Sequence, residues 1–224
     1  MFAFVSGVVS AHSTLPMACF TSTLTNTSTA VTVGAIALAY LCGSLPTGVW
    51  VGRRAGVDVR RSGSGNIGAT NVARTAGRRA ALLTLGGDIA KGLVPVLITR
   101  VLVPVPWTVA GVAIAAVLGH TFSVFLRFSG GKGVATACGV FLGMTPLALV
   151  VSLVVFGTIA LRTQYVSLAS VTAAVTLPLA VALLGYPVPA CVSASFAAAV
   201  IVLRHRENLL RLWHRTEPRF EMRP

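Results

Sequence analysis

The sequence predicts an all-α fold: a polytopic bundle of about seven membrane helices with glycine-rich loops on one face. Three observations lead there. Of the 224 residues, 55% are hydrophobic and 10% charged, where a soluble domain carries roughly a quarter charged; the mean hydropathy is +0.84. Several charge-free runs reach the roughly 20 residues that a helix needs to cross about 30 Å of hydrocarbon. The net charge of +13, from 18 Lys+Arg against 5 Asp+Glu, falls in short segments beside those runs, where the positive-inside rule places it.

Residues 1–30 carry no charge and are rich in Ser and Thr. The basic start of a signal peptide is missing, so this stretch is expected to be a weakly ordered extension, leaving 31–224 as one transmembrane domain. The apolar spans run over 31–52, 80–103, 107–126, 133–161, 165–185 and 188–203. The loops at 53–79 and 127–132 and the tail from 204 hold most of the arginines and are assigned to the cytoplasmic face. The uncharged Pro-Val-Pro at 104–106 and the turn at 185–189 are assigned to the outside. A cytoplasmic loop at 127–132 and a cytoplasmic tail require an even number of crossings between them, yet only three spans remain. Gly143-Met144-Thr145-Pro146 interrupts the longest, and the residue before a proline resists helical geometry. Splitting 133–161 there restores parity, moves Arg162 inside and makes seven segments.

Four polar stretches stand out in such a chain: the first has no packing use, whereas a tight helix–helix turn at Gly130–Gly133 and a purely structural Asp88–Lys91 pair are competing readings of two others. Arg60-Arg61-Ser62-Gly63-Ser64-Gly65-Asn66-Ile67-Gly68-Ala69-Thr70-Asn71 combines glycines, hydroxyls and two arginines, ingredients that suit an oxyanion. Gly130-Gly131-Lys132-Gly133 turns into a new helix, joining amides, an ammonium and a helix N-terminus as a phosphate cradle would. His205, Asn208 and Arg211 share a helical face by spacing; a basic helix resting on anionic lipid is the competing reading. Asp88 and Lys91 stand at i, i+3 inside an apolar span, where charge is costly and usually faces a cavity. His120 lies at the cytoplasmic end of its span, close to the Gly-Gly-Lys-Gly turn.

Several chemistries are excluded. The P-loop pattern is absent, as are an HxxxxD pair, a GxSxG elbow and an acidic cluster that could hold a metal; no cofactor is expected. Cys19, Cys42, Cys138 and Cys191 show no metal or disulfide spacing and read as small hydrophobes. No stacking platform accompanies the positive charge, so nucleic acid is set aside.

Gly43-Ser44-Leu45-Pro46-Thr47-Gly48, the Ser62–Asn71 loop, Asp88-xx-Lys91-Gly92, Gly119-His120 through Gly-Gly-Lys-Gly-Val-Ala-Thr, and His205-Arg206-x-Asn208-Leu-x-Arg211-Leu212 occur in this order. Together they resemble the bacterial membrane acyl-phosphate:glycerol-3-phosphate acyltransferases, the PlsY family, over roughly residues 34–217. Ser123 stands where that family commonly has proline, and Leu209 where it has isoleucine. The resemblance implies acyl transfer from acyl phosphate to the 1-hydroxyl of glycerol 3-phosphate at the cytoplasmic face of the cell membrane, giving lysophosphatidic acid. It implies membrane lipids and a soluble acyl-phosphate-forming enzyme as partners.

On that reading Lys132, His205, Asn208 and His120 are the candidate catalytic residues. Ser44, Arg60, Ser62, Ser64, Asn66, Thr70, Asn71, Lys91, Gly130, Gly131 and Gly133 are the candidate substrate-binding residues. Arg60 and the Ser62–Asn66 groups would take one phosphate, and Lys132 with the Gly130–Gly133 amides the other. His205 and Asn208 would orient glycerol 3-phosphate, with His205, His120 or the donor phosphate accepting the proton. The rival class is an organophosphate transporter, which predicts repeated halves and polar residues at mid-membrane depth; no internal repeat is visible.

Overall fold

The computed structural model describes residues 17–220, with side chains from residue 29. The elements are helical throughout these residues: α1 (Met17–Ser44), α2 (Thr47–Arg54), α3 (Ala69–Leu102), α4 (Pro106–Thr121), a 3₁₀ turn (Val124–Leu126), α5 (Val134–Met144), α6 (Pro146–Thr163), α7 (Val166–Leu183), α8 (Val188–Arg204) and α9 (Arg206–Trp213). Of the extension expected over 1–30, residues 1–16 lie outside the described residues, and α1 begins at Met17.

Among the described residues five helical stretches are long and apolar enough to cross a membrane. A sixth, α8 with α9, is bent by 56°, and α5 is a shorter apolar helix. The break expected at Gly143–Pro146 is present: α5 ends at Met144 and α6 starts on Pro146. Two boundaries differ from expectation. The span over 31–52 is broken at Leu45-Pro46, where proline has no N–H for the helical ladder, and α2 follows as a separate piece. Arg74, Arg78 and Arg79 sit on α3 rather than in a loop, because helix resumes at Ala69; Gly77, at φ 86°, breaks α3 into two parts.

Leucines and valines on α3, α6 and α7, such as Val101, Leu161 and Leu183, are left more than three-quarters exposed, as a lipid-facing surface demands. The protein interior is made of small residues instead. A side chain on Gly43 would strike the carbonyl of Ala116, and one on Gly119 the carbonyl of Tyr40, so α1 and α4 touch backbone to backbone. Gly92 meets the Thr136 carbonyl and Gly139 the Ile89 carbonyl, which does the same for α3 and α5. In lipid, where apolar burial gives little association energy, such close approach is the main source of helix packing.

The segments at 127–133, 162–165 and 204–220 come together at one end of the bundle. Arg204 donates to the carbonyls of Gly131 and Gly130 at 3.2 and 2.9 Å, and Phe220 N donates to Gln164 O at 2.8 Å. The segment before α3 joins them through Leu126, which packs with Val49, Val59, Ile67 and Val72. At the far end, Arg100 donates to the Gly143 carbonyl. Gly119→Ala is expected to destabilise the fold by about 1–3 kcal/mol, the usual cost of overpacking, seen as a lowered thermal midpoint in micelles. Gly157→Ala, with no neighbour within 4 Å, is expected to show no such loss.

Candidate active site

Two polar clusters meet where α4 and α8 end and α5 begins. The inner one begins at the α1–α2 break. Lys91 Nζ donates to the Leu45 carbonyl at 2.9 Å and pairs with Asp88 Oδ1 at 2.9 Å, both side chains almost fully buried. Thr47 Oγ1 donates to the same Asp88 oxygen. His120 Nδ1 lies 3.7 Å from it, beyond hydrogen-bond reach, and has no partner among the described residues. A side chain on Gly131 would run into His120 Nε2, so the missing Cβ is what lets the Gly-Gly-Lys-Gly turn lie on the histidine.

The outer cluster is a chain of alternating donors and acceptors. Lys132 Nζ donates to Asn208 Oδ1 at 2.5 Å, Asn208 Nδ2 donates to Glu217 Oε1 at 2.6 Å, and Arg211 Nε donates to Glu217 Oε2 at 2.8 Å. An ammonium only donates and a carboxylate only accepts, so Asn208 has one workable orientation. Burial pulls the Lys132 pKa down to about 8, helped by Arg211 and Arg204 and opposed by Glu217 and Glu207. Burial raises the Glu217 pKa, but hydrogen bonds from Asn208 and Arg211 and the Arg211 charge outweigh it, holding the carboxyl below its ordinary range. His205 is buried with Nδ1 2.8 Å from the Ile201 carbonyl. A carbonyl can only accept, so Nδ1 carries the proton and Nε2 is left as the acceptor.

The Gly130 and Gly131 N–H groups, expected to cradle phosphate, are already spent: they donate to the carbonyls of Thr121 and His120 at 3.1 and 3.0 Å. The amides of residues 132–136, which include Gly133 and the first turn of α5, make no hydrogen bond among the described residues. They surround the root of the Lys132 side chain at a helix N-terminus, the usual setting for an anion.

The loop at 60–71 is held together by Asn71. Its Nδ2 donates to the carbonyls of Val59, Ser62 and Asn66 at 2.9, 3.1 and 2.8 Å, and its Oδ1 accepts from Ser64 N at 2.8 Å. Gly63 and Gly65 take left-handed φ values of 59° and 71° to bring these groups to one point. Asn71 is therefore fully committed to the loop. Asn66 Oδ1 caps Gly68 N at 2.8 Å. The hydroxyls of Ser62, Ser64 and Thr70 make no hydrogen bond among the described residues, and the Arg60 side chain is exposed. Ser44 is likewise committed to packing. Its hydroxyl donates to Tyr40 O at 2.8 Å, and its carbonyl accepts from Ser123 Oγ at 2.6 Å.

Lys132, Asn208, His205 and His120 thus gather around one turn, with Lys91 behind His120. The 60–71 loop shares their face, but no hydrogen bond joins its side chains to theirs among the described residues. Glu217, Arg204 and Thr47 belong to the site without having been singled out from the sequence. Glu217 carried the one available signal, as one of five carboxylates in a basic chain.

Fold and site together define an integral membrane protein whose candidate site is one-ended, cationic and poor in carboxylates. The glycerol-3-phosphate acyltransferase family model matches residues 33–215. Glycerol-3-phosphate acyltransferases of Geotalea daltonii and Geobacter sulfurreducens are each 52% identical to this chain, covering 82% and 83% of it and 94% and 95% of their own lengths. The crystal structure of PlsY (YgiH), an integral membrane glycerol 3-phosphate acyltransferase, is similar in two forms. Its glycerol 3-phosphate form matches with a TM-score of 0.82 at 41% identity over 85% of this chain and 96% of that one. Its lysophosphatidic acid form matches with 0.81 at 40% identity over 86% and 96%. The chain belongs to the glycerol-3-phosphate acyltransferase family and is an acyltransferase of phospholipid biosynthesis.

Asn71→Ala strips partners from three carbonyls and an amide, and an unmade buried hydrogen bond costs about 1–3 kcal/mol. Faster proteolytic cleavage within 60–68 and a lower thermal midpoint are the expected outcomes.

Proposed function

We propose that this enzyme transfers a fatty acyl group from acyl phosphate to the 1-hydroxyl of glycerol 3-phosphate, releasing lysophosphatidic acid and phosphate. The observation that carries this reading is Lys132: a cation held by an amide instead of a carboxylate, beside the open amides of 132–136. An unneutralised positive charge of that kind fits a phosphate. The relatives' names supply glycerol 3-phosphate, and the resemblance supplies the donor.

Acyl phosphate is an activated mixed anhydride, so neither a covalent enzyme intermediate nor a metal is required. The glycerol hydroxyl oxygen bonds to the carbonyl carbon, the bond from that carbon to the phosphate oxygen breaks, and phosphate leaves with the electron pair. Catalysis then rests on holding two phosphates close with the hydroxyl aimed at the carbonyl. Lys132, bonded to the Asn208 that orients glycerol 3-phosphate, takes that substrate's phosphate together with the α5 amides and stabilises the oxyanion that develops beside it. Ser62, Ser64, Thr70 and Arg60 take the other, on a loop that Asn71 keeps rigid. His205 Nε2 accepts the hydroxyl proton, and Asn208 orients glycerol 3-phosphate. Asp88, Lys91 and His120 support the turn from behind. The acyl chain enters along the α2–α3 groove of about 410 Å³, lined by Thr47, Trp50, Val51, Arg53, Arg54 and Leu83.

The arginine-rich end faces the cytoplasm of the cell membrane by the positive-inside rule, where a soluble acyl-phosphate-forming enzyme would deliver the donor. A transporter reading is disfavoured because the polar groups gather at one end of the bundle.

Purified protein is expected to form lysophosphatidic acid from acyl phosphate and not from acyl-CoA or acyl carrier protein; transfer from acyl-CoA alone would reject the donor assignment. His205→Ala is expected to lower kcat by roughly 10²–10⁴-fold with little change in KM. Near-normal turnover would instead make the leaving phosphate the proton acceptor.

A further inference from the structure

Away from the active site, a cavity of about 570 Å³ opens between the α6–α7 turn, α9 and the C-terminal strap. Arg162, Gln164, Tyr165, Leu168, Leu212 and Arg219 line it. Arg219 stacks on the Tyr165 ring, with its guanidinium carbon 5.8 Å from the ring centroid. Among the described residues neither Arg162 nor Arg219 has an ion-pair partner; the recorded pairs are Asp58 with Arg61, Asp88 with Lys91 and His120, and Glu217 with Arg211. Arg162 and Arg219 are both exposed and present their guanidinium groups beside a partly apolar wall, and guanidinium is the side chain best matched to phosphate oxygens.

The position of the cavity says which anion. Arg162 occupies the last turn of a membrane-crossing helix, and its neighbour Leu161 is 84% exposed on the lipid-facing side. The mouth therefore stands at headgroup depth, with Leu168 and Leu212 where the first carbons below a phosphate would lie. A free phosphate would leave those leucines unused.

We propose that this cavity is a binding site for the phosphate headgroup of an anionic phospholipid. The site is separate from the catalytic clusters but shares the strap with them: Phe220 N is tied to Gln164 O at 2.8 Å, and Glu217, three residues earlier, holds Asn208. A bound lipid fastens the outer end of the strap whose inner end sets the Asn208 amide.

Native mass spectrometry of the full chain, released from bilayer discs of phosphatidylglycerol or of phosphatidylcholine, tests this. A retained phosphatidylglycerol is expected, with no comparable phosphatidylcholine. Arg162→Gln and Arg219→Gln are each expected to weaken its retention roughly fivefold, the contribution of one basic residue at a membrane surface. Millimolar inorganic phosphate or glycerol 3-phosphate is expected not to displace it; displacement would make this a soluble-anion site and overturn the proposal. Equal retention of both lipids, or variants that bind like the wild type, would overturn it too. Hydrogen exchange on the unmodified protein gives a check that needs no variant. Amides of 163–165 and 214–220 are expected to exchange more slowly in phosphatidylglycerol discs, and identical exchange in both lipids would count against the site.

Discussion

The hydrogen bond from Lys132 to Asn208 is the interaction on which the candidate active site depends. It ties the turn between α4 and α5 to the bent end of α8, and through Glu217 it secures the C-terminal strap. Its chemistry matters as much as its geometry. An amide satisfies the lysine's donor without cancelling its charge, and the carboxylate that would cancel it is kept one group away. Burial already disfavours the cation, which is why its pKa falls to about 8. On the proposed reading, this is a positive charge that an incoming phosphate would stabilise better than the protein does.

The membrane explains why this arrangement takes the form it does. With apolar side chains equally content in lipid, the helices are held by glycine-mediated backbone contact, seen at Gly43 and Gly119 and again at Gly92 and Gly139. Those contacts set the depths of α3 and α4, and so place Asp88, Lys91 and His120 beneath the Gly-Gly-Lys-Gly turn. Polar groups at such depth must satisfy one another. The Leu45 carbonyl at the α1–α2 break, the Lys91 ammonium, the Asp88 carboxylate and the Thr47 hydroxyl do so.

Much of this could be read from the chain. Apolar runs and the arginine pattern are strong one-dimensional signals, and the parity of crossings located the break at Gly143–Pro146. The four polar stretches were conspicuous for the same reason: they interrupt sequence that is otherwise apolar. What the sequence concealed was the division of labour inside each stretch. Asn71 and Ser44 read as ligand groups, yet three carbonyls and the Ser64 amide claim the Asn71 side chain, and the Ser44 hydroxyl gives its proton to the Tyr40 carbonyl. Gly130 and Gly131 read as an amide cradle, but their amides turn back onto α4, and the free amides begin one residue later. The contacts of Glu217 and Arg204 were hidden because their partners lie on other segments, and spacing along a chain says nothing about contacts across a bundle.

In the proposed mechanism Lys132 binds the phosphate of glycerol 3-phosphate as a cation that the free protein holds only weakly. Isothermal titration calorimetry of glycerol 3-phosphate binding at pH 8.5, in buffers of different ionisation enthalpy, measures it directly. The substrate phosphate is already dianionic there and Lys132 is partly neutral, so binding must draw a proton onto the lysine. Net proton uptake of a substantial fraction of one per site is expected, shrinking as the pH is lowered toward 7 and vanishing in Lys132→Met. Binding without proton uptake at pH 8.5, or undiminished uptake in Lys132→Met, would contradict the account.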